Sequence, residues 1–103
     1  MAVTAQSNQQ IVSDFEAYMH RKGGGFRAWF VGLSEDAKMS LFRDHGVKEE
    51  GDAWIYARAG TPDDAWVIER FFVEVGGTDG GLGGVETTAS EVYAYKKAPH
   101  TKP

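Results

Sequence analysis

Among the side chains that could transfer protons or bind a metal ion, four are candidates for a functional site: His45, Glu69, Tyr93 and Tyr95. An imidazole exchanges protons near neutral pH. A partly buried carboxylate can act as a general base or hold a divalent cation. A tyrosine hydroxyl can lie at a reactive phosphate. The four belong to three separate parts of the chain, so the fold must bring them together. We expect Glu69, His45 and at least one of Tyr93 and Tyr95 to converge on one surface depression beside the glycine-rich residues 76–84.

Glu69 belongs to a predicted helix whose apolar stripe consists of Ala65, Ile68, Phe72 and Val75. At 100° per residue the carboxylate falls at the rim of that stripe. Its neighbours on the same face, Trp66 and Val73, are apolar. Two interpretations remain open. Glu69 is either a rim residue paired with a lysine or arginine, or a metal ligand or general base whose pKa is raised by partial burial.

His45 and the two tyrosines also allow two interpretations each. His45 ends a predicted helix just before Gly46, where the helix dipole favours a protonated imidazole, so it is either a capping residue or a catalytic one. Tyr93 and Tyr95 alternate with small apolar residues and therefore share one face of a predicted strand. That aromatic face either packs against a helix or offers rings for stacking and hydroxyls for chemistry.

Helices and strands alternate in the elements that must position these residues. Helical periodicity with the cap Ser7, and Thr61 followed by Pro62, predict two of the helix starts, and aromatic and β-branched runs predict the strands. The predicted elements are helix 7–22, strand 26–33, a helix from its cap Ser34 to Gly46, strand 53–59, helix 61–75 ended by Gly76, and strand 91–97.

This order predicts an α+β fold, a small three-stranded, mostly antiparallel sheet flanked by three helices. We expect one domain over residues 1–103, with loose ends at 1–6 and 98–103. We further expect the strand at 92–96 to lie beside the strand at 28–32.

Six of the nine residues from Gly76 to Gly84 are glycine. A linker is an unsuitable interpretation, because a strand of the sheet follows. The segment is either a shaped loop with close backbone approaches or a nest of amides that binds an anion. Its candidate binding residues are Gly80, Gly81, Gly83 and Gly84. The segment lacks the ending of a P-loop, and it leads from a helix into a strand, the wrong direction for a dinucleotide-binding turn.

Composition limits the class of protein. The chain has 103 residues, a net charge of -4 and no cysteine, so disulfide frameworks and thiolate metal sites are excluded. No apolar run reaches a membrane span, and no signal peptide is recognisable, so we expect a cytoplasmic protein with no membrane partner. Net acidity argues against tight nonspecific duplex binding. A local basic patch remains at Lys96, Lys97, His100 and Lys102, of which Lys97 is a candidate binding residue.

The segments AWFVGLSEDAKMSLFRDHGV, AWIYARAG and DDAWVIERFF together resemble the GIY-YIG nuclease superfamily. Phe30-Val31-Gly32 matches the YVG strand with Phe in place of Tyr, His45 matches the helix histidine, and Glu69 matches the metal-binding glutamate. The strand that opens the family motif has no counterpart upstream of Phe30. The sequence VYAY at 92–95 takes its place from the other end of the chain, as in a circular permutation. The resemblance covers residues 28–96.

The resemblance implies nucleic acid or a nucleotide as partner, Mg²⁺ or Mn²⁺ at Glu69, catalytic roles for His45, Tyr93 and Tyr95, and Gly32 as part of the binding surface. We expect little or no cleavage of duplex DNA, because Ser40 and Leu41 stand where the family has its arginine and Phe30 lacks a hydroxyl. The alternative is a small acidic protein that binds another protein without catalysis, such as a phage inhibitor of host defence or of a host enzyme, or a nucleotide-binding module.

Overall fold

The computed structural model describes residues 7–80 and 88–102. Helix α1 (Asn8–Lys22) is followed by a 3-10 turn (Phe26–Ala28), strand β1 (Trp29–Ser34), helix α2 (Ala37–Met39, continued in π geometry through Ser40–Asp44), strand β2 (Trp54–Arg58), helix α3 (Pro62–Arg70, continued in π geometry through Phe71–Gly76) and strand β3 (Glu91–Lys96). The α+β architecture predicted from the sequence is confirmed.

The three strands form one antiparallel sheet in the order β1-β3-β2. The last strand is therefore the central one, paired on one side with β1 and on the other with β2. In the β1–β3 register Phe30 lies opposite Tyr95 and Gly32 lies opposite Tyr93. The prediction that the strand at 92–96 lies beside the strand at 28–32 is confirmed.

Each face of the sheet has its own apolar core. On one face the side chains of α1 and α3 pack against alternate residues of the strands. The largest members of this core are Ile11, Phe15, Trp29, Ile68 and Phe72. On the other face, Ala37 and Leu41 of α2 cover an aromatic layer. That layer contains Phe30, Trp54, Tyr56, Tyr93 and Tyr95. The packing interpretation of the aromatic face is correct for most of its rings.

Two predicted helix starts are confirmed and one is wrong. The Ser7 hydroxyl accepts from the Gln10 amide, and the Thr61 hydroxyl accepts from the Asp64 amide. Helix α2 is instead capped by Asp36, whose carboxylate accepts from the Met39 amide. Ser34, the expected cap, ends β1 and accepts from the Asp36 amide. Residues 26–28 form the 3-10 turn rather than the start of a strand.

The π geometry at the end of α3 corrects the predicted apolar stripe. Ala65, Ile68 and Phe72 are buried as expected, but Val75 is 74% exposed. Hydrogen bonds to the fifth rather than the fourth residue widen the turn, so a residue after Phe71 no longer follows the stripe. The left-handed residue that ends this helix is Gly77, with φ of 90°, one position later than predicted.

The outer edge of β1 is covered by the first residues of the glycine segment. The Val31 amide donates to the Asp79 carbonyl and the Asp79 amide donates to the Trp29 carbonyl, so Asp79 forms a parallel bridge with Phe30. An alanine Cβ at Gly80 would lie 2.7 Å from the Val31 carbonyl oxygen and 2.5 Å from Val73 Cγ2. This close approach shows the shaping role of Gly80.

The residues after β3 fold back onto the molecule, so the expectation of a loose end is wrong for residues 98–102. The Thr101 side chain closes a turn with Ala98, and Thr101 is buried. The Lys102 amide donates to the His45 carbonyl at 2.7 Å. We refer to residues 98–102 as the C-terminal strap. Residues 1–6 lie outside the described ranges. None of the helices in those ranges combines the length and the apolar character that a bilayer crossing requires.

Candidate functional site around His45 and Tyr93

His45 contacts both tyrosines of the central strand. Its Nε2 atom lies 2.7 Å from the Tyr93 hydroxyl, and its Nδ1 atom lies 3.1 Å from the Tyr95 hydroxyl. Its Nδ1 atom also lies 2.6 Å from the Lys102 carbonyl oxygen of the strap. The end of α2, the middle of β3 and the strap thus supply the parts of one polar cluster. Of the four residues expected to converge, these three lie together, whereas Glu69 makes no hydrogen bond to them.

The Lys102 carbonyl determines how the neutral imidazole is protonated. A carbonyl oxygen only accepts, so the proton lies on His45 Nδ1 and is directed at Lys102. The Nε2 lone pair then accepts the hydrogen of the Tyr93 hydroxyl. Tyr95 donates its own hydrogen to the same Lys102 carbonyl at 3.3 Å. The Tyr93 phenol is thus directed at the basic Nε2 nitrogen, and the Lys102 carbonyl holds the opposite nitrogen, Nδ1, in its protonated form.

Burial keeps both phenols in their neutral form. Burial raises the pKa of Tyr93, and the negative charges of Tyr95, Glu69 and Asp44 raise it further. Burial raises the pKa of Tyr95 to about 12, with Asp79 adding to the effect. Tyr93 is therefore a proton donor at neutral pH, and the Nε2 lone pair of His45 is its acceptor.

Phe30 and Gly32 shape the floor beneath Tyr93. The Phe30 ring packs 4.8 Å from the imidazole of His45 and 5.2 Å from Tyr95, measured between ring centres. An alanine Cβ at Gly32 would lie 2.5 Å from the Tyr93 hydroxyl oxygen. Gly32 is buried, and the end of Tyr93 occupies the space that a side chain at position 32 would fill. Phe30 contributes an aromatic ring to this contact but no hydroxyl.

Glu69 is more deeply buried than the helix geometry predicts. It is 1% exposed, and its Oε1 atom has no hydrogen-bond partner among the described residues. Burial raises the pKa of Glu69 to about 7. The interpretation as a rim carboxylate paired with a cation is therefore wrong. Glu69 makes no hydrogen bond to the His45 cluster, yet its charge is close enough to raise the pKa of Tyr93.

Glu69 offers one carboxylate oxygen and not a closed set of metal ligands. In residues 7–80 and 88–102, no three His, Cys, Asp or Glu side chains are grouped to hold a metal ion. The orphaned Oε1 atom supplies one oxygen ligand of the kind that Mg²⁺ and Mn²⁺ bind. A buried hydroxyl, Thr78 Oγ1, is the other buried side-chain atom without a partner in that part of the chain. Mg²⁺ is usually held by one or two carboxylates together with waters and substrate phosphates, so a cation at Glu69 would need its other ligands from water and a phosphate.

The remaining candidate residues fall into two groups. Lys97 forms an ion pair with Asp79 at 3.6 Å, which joins the end of β3 to the covered edge of β1. Gly81, Gly83 and Gly84 lie outside the described residues. The sequence pattern did not indicate the Lys102 carbonyl, because a backbone group that acts at a distance of 57 residues leaves no signal in residue types.

Comparisons with protein-family models, with curated proteins and with solved structures find no match to this chain.

Proposed function

We propose that this chain is a GIY-YIG-like domain that binds nucleic acid and acts on its phosphodiester backbone with low catalytic efficiency. The observation that carries the proposal is the cluster of His45, Tyr93 and Tyr95 on the strand paired with Phe30-Val31-Gly32. The family resemblance requires its two motif strands to be neighbours, and the antiparallel pairing of β1 with β3 supports that requirement.

Tyr93 and His45 have complementary proton-transfer roles in this proposal. His45 Nε2 accepts the proton of Tyr93, whose oxygen can in turn accept a proton from an attacking water. The Lys102 carbonyl keeps Nδ1 protonated and so keeps Nε2 basic. Tyr95 is fully buried, and it orients His45 and the strap rather than contacting the phosphate.

Glu69 would hold the divalent cation. A bound Mg²⁺ or Mn²⁺ supplies positive charge to a phosphate that gains negative charge during cleavage. Because the pKa of Glu69 is about 7, protons compete with the cation, and cation affinity should rise with pH through neutrality.

The low efficiency follows because no arginine stands at the family's position beside the phosphate. Ser40 and Leu41 stand where the family has an arginine. The nearest cations of α2 have other contacts: Arg43 donates to Met39 Sδ, and Lys38 lies over the Tyr56 ring. Loss of one preorganised donor to a developing oxyanion costs about 10²–10³ in rate.

The test is a nicking assay on supercoiled plasmid with Mg²⁺ or Mn²⁺, comparing the wild type with Glu69→Gln and Tyr93→Phe. We expect slow nicking by the wild type and a further loss of at least about tenfold in each variant. Glu74→Gln is the matched control, because Glu74 is an exposed carboxylate of the same helix, paired with Arg70. It should nick at the wild-type rate.

A second readout separates cation binding from chemistry. Mn²⁺ should raise the melting temperature of the wild type and of Glu74→Gln but not of Glu69→Gln, and the increase should be larger at pH 8 than at pH 6. Nicking that Glu69→Gln leaves unchanged would contradict the proposed site, and fast nicking by the wild type would contradict the proposed low efficiency.

A further inference from the structure

The charges of this acidic chain are strongly separated along the sequence. Residues 17–34 and 92–103 contain six of the 11 lysines and arginines and none of the 15 acidic residues. The rest of the chain holds five basic and 15 acidic residues, so it carries a charge of -10. The overall net charge of -4 therefore conceals two positive segments.

The fold joins the two positive segments. Residue 29 of the first segment pairs with Lys96 of the second in the sheet, and the Lys97 amide donates to the Ala28 carbonyl. The Lys96 ammonium lies 3.3 Å from the Lys22 carbonyl oxygen. Arg21 and Lys22 both lie over the ring of Tyr18. We refer to Arg21, Lys22, Lys96 and Lys97 as the basic pole.

The basic pole opens into a surface depression of about 380 Å³. Lys22, Lys96 and Lys97 line it together with residues 51–53 and the first two residues of the strap. Three ammonium groups around one depression repel each other unless an anion lies between them. A depression of this kind concentrates the positive potential and attracts phosphate groups.

Among the described residues two carboxylates lie at the basic pole, one with partners outside it and one paired with a lysine of the pole. Asp52 lines the depression, where it accepts from the Lys48 amide and lies 2.5 Å from Nε2 of His100. Asp79 pairs with Lys97. Neither carboxylate is paired with Lys22 or Lys96 among the described contacts, so these two ammonium groups are the ones available to a ligand.

We propose that the basic pole binds backbone phosphates of the nucleic-acid strand on which the Tyr93–His45 site acts. This inference depends on the proposed function for the identity of the ligand. The strap connects the pole to that site: its first residues line the depression, and its Lys102 carbonyl fixes His45. Lys96 follows Tyr95 in β3 and points to the opposite face of the sheet, so a strand bound at the pole reaches the site around the end of β3. Phosphate contacts position a strand without reading its sequence, so the pole binds single strands and duplexes of any sequence.

The test is fluorescence anisotropy with a labelled DNA single strand and the matching duplex, in EDTA and across a salt series. Without divalent cations neither Glu69 nor cleavage contributes. The variant Lys22→Gln/Lys96→Gln should bind about tenfold more weakly at low salt, and its salt slope on the single strand should fall by about 1.4, at about 0.7 for each lost contact.

The matched control is Lys38→Gln/Arg70→Gln, which removes the same charge from exposed positions outside the basic pole. It should bind within about twofold of the wild type. The variant Lys22→Arg/Lys96→Arg, which retains both charges, should restore binding and shows that loss of folding is not the cause.

Each result decides a different claim. Equal weakening in the two glutamine variants, or no weakening in either, would overturn the basic pole while leaving the Glu69-dependent nicking test intact. Pole-dependent binding without any nicking would support the basic pole and contradict only the proposed cleavage. Absence of binding by the wild type to both DNAs would overturn this inference and the proposed function together.

Discussion

Glu69 is a carboxylate placed where ionisation is unfavourable. Its side chain is almost fully buried on the inner face of α3, and one of its oxygens lacks a hydrogen-bond partner among the described residues. An uncompensated buried charge of this kind costs several kcal/mol in general, and the usual response is that the group retains its proton. A residue kept at such a cost is a candidate for function rather than for stability.

The raised pKa of Glu69 predicts how stability depends on pH. The folded state holds a proton on Glu69 up to about pH 7, while the unfolded state releases it near the ordinary glutamate pKa of 4.5. Between these values the folded state binds more protons, so rising pH lowers stability by up to about 3 kcal/mol, and no more is lost above pH 7. Glu69→Gln, which is never charged, should therefore gain stability relative to the wild type as pH rises.

Urea unfolding at pH 4.5 and at pH 8 measures this difference. We expect Glu69→Gln to be close to the wild type at pH 4.5 and more stable by about 1–3 kcal/mol at pH 8. Glu74→Gln provides the control, because its exposed carboxylate should change the free energy of unfolding by less than about 0.5 kcal/mol at either pH. A pH-independent effect of Glu69→Gln would show that Glu69 is not buried as a protonated acid.

At the scale of the elements, the C-terminal strap connects the end of α2 to the central strand. The backbone of Lys102 both donates to His45 and accepts from its imidazole. The strap itself is held by the Thr101 turn and by the contact of His100 with Asp52. The protonation of His45 thus depends on a backbone segment rather than on a neighbouring side chain.

Two substitutions at Lys102 separate its backbone from its side chain. Lys102→Pro removes the amide that donates to the His45 carbonyl, whereas Lys102→Ala keeps the amide and the carbonyl. We expect Lys102→Pro to lower stability by about 1 kcal/mol and to increase the Nε2-protonated form of His45, seen in ¹⁵N NMR of the imidazole. Lys102→Ala should leave both unchanged. Equal spectra for the two variants would show that the strap does not orient His45.

Local patterns predicted most of the elements because their determinants lie close in sequence. Ser7 and Thr61 cap helices through amides three residues away, and strand residues alternate between faces. The antiparallel neighbours β1 and β3 were predicted through the family resemblance rather than through any local pattern. The interpretation of the sheet's aromatic side remained open, because residue types alone do not show which helix covers it.

The errors arose where distant contacts decide the local structure. Ser34 and Asp36 are both suitable caps, and the Glu91 carboxylate, which accepts from the Ala37 amide, places the helix start after Asp36. The π turns that turn Val75 outward have no signature in sequence periodicity. The burial of Glu69 and the strap contacts of His45 likewise depend on segments far away in the chain.

The whole molecule combines net negative charge with one positive region. Long-range attraction to a polyanion depends on the nearest charges, because salt screens charges more than about 10 Å away at 0.1 M ionic strength. The strap joins the basic pole to the phenol and imidazole cluster, whereas 11 of the 15 acidic residues fall at positions 35–79. A polyanion that approaches from the pole therefore meets a positive surface despite the negative total.

This charge separation predicts unusual chromatography at neutral pH. The wild type should bind an anion exchanger, because its net charge is -4, and should also be retained on heparin at low salt through the basic pole. Lys22→Gln/Lys96→Gln and Lys38→Gln/Arg70→Gln have the same net charge, two units more negative than the wild type. The first should lose its retention on heparin and the second should keep it, while both elute later from the anion exchanger. Equal heparin elution of the two variants would mean that total charge, and not its placement, governs the interaction of this protein with polyanions.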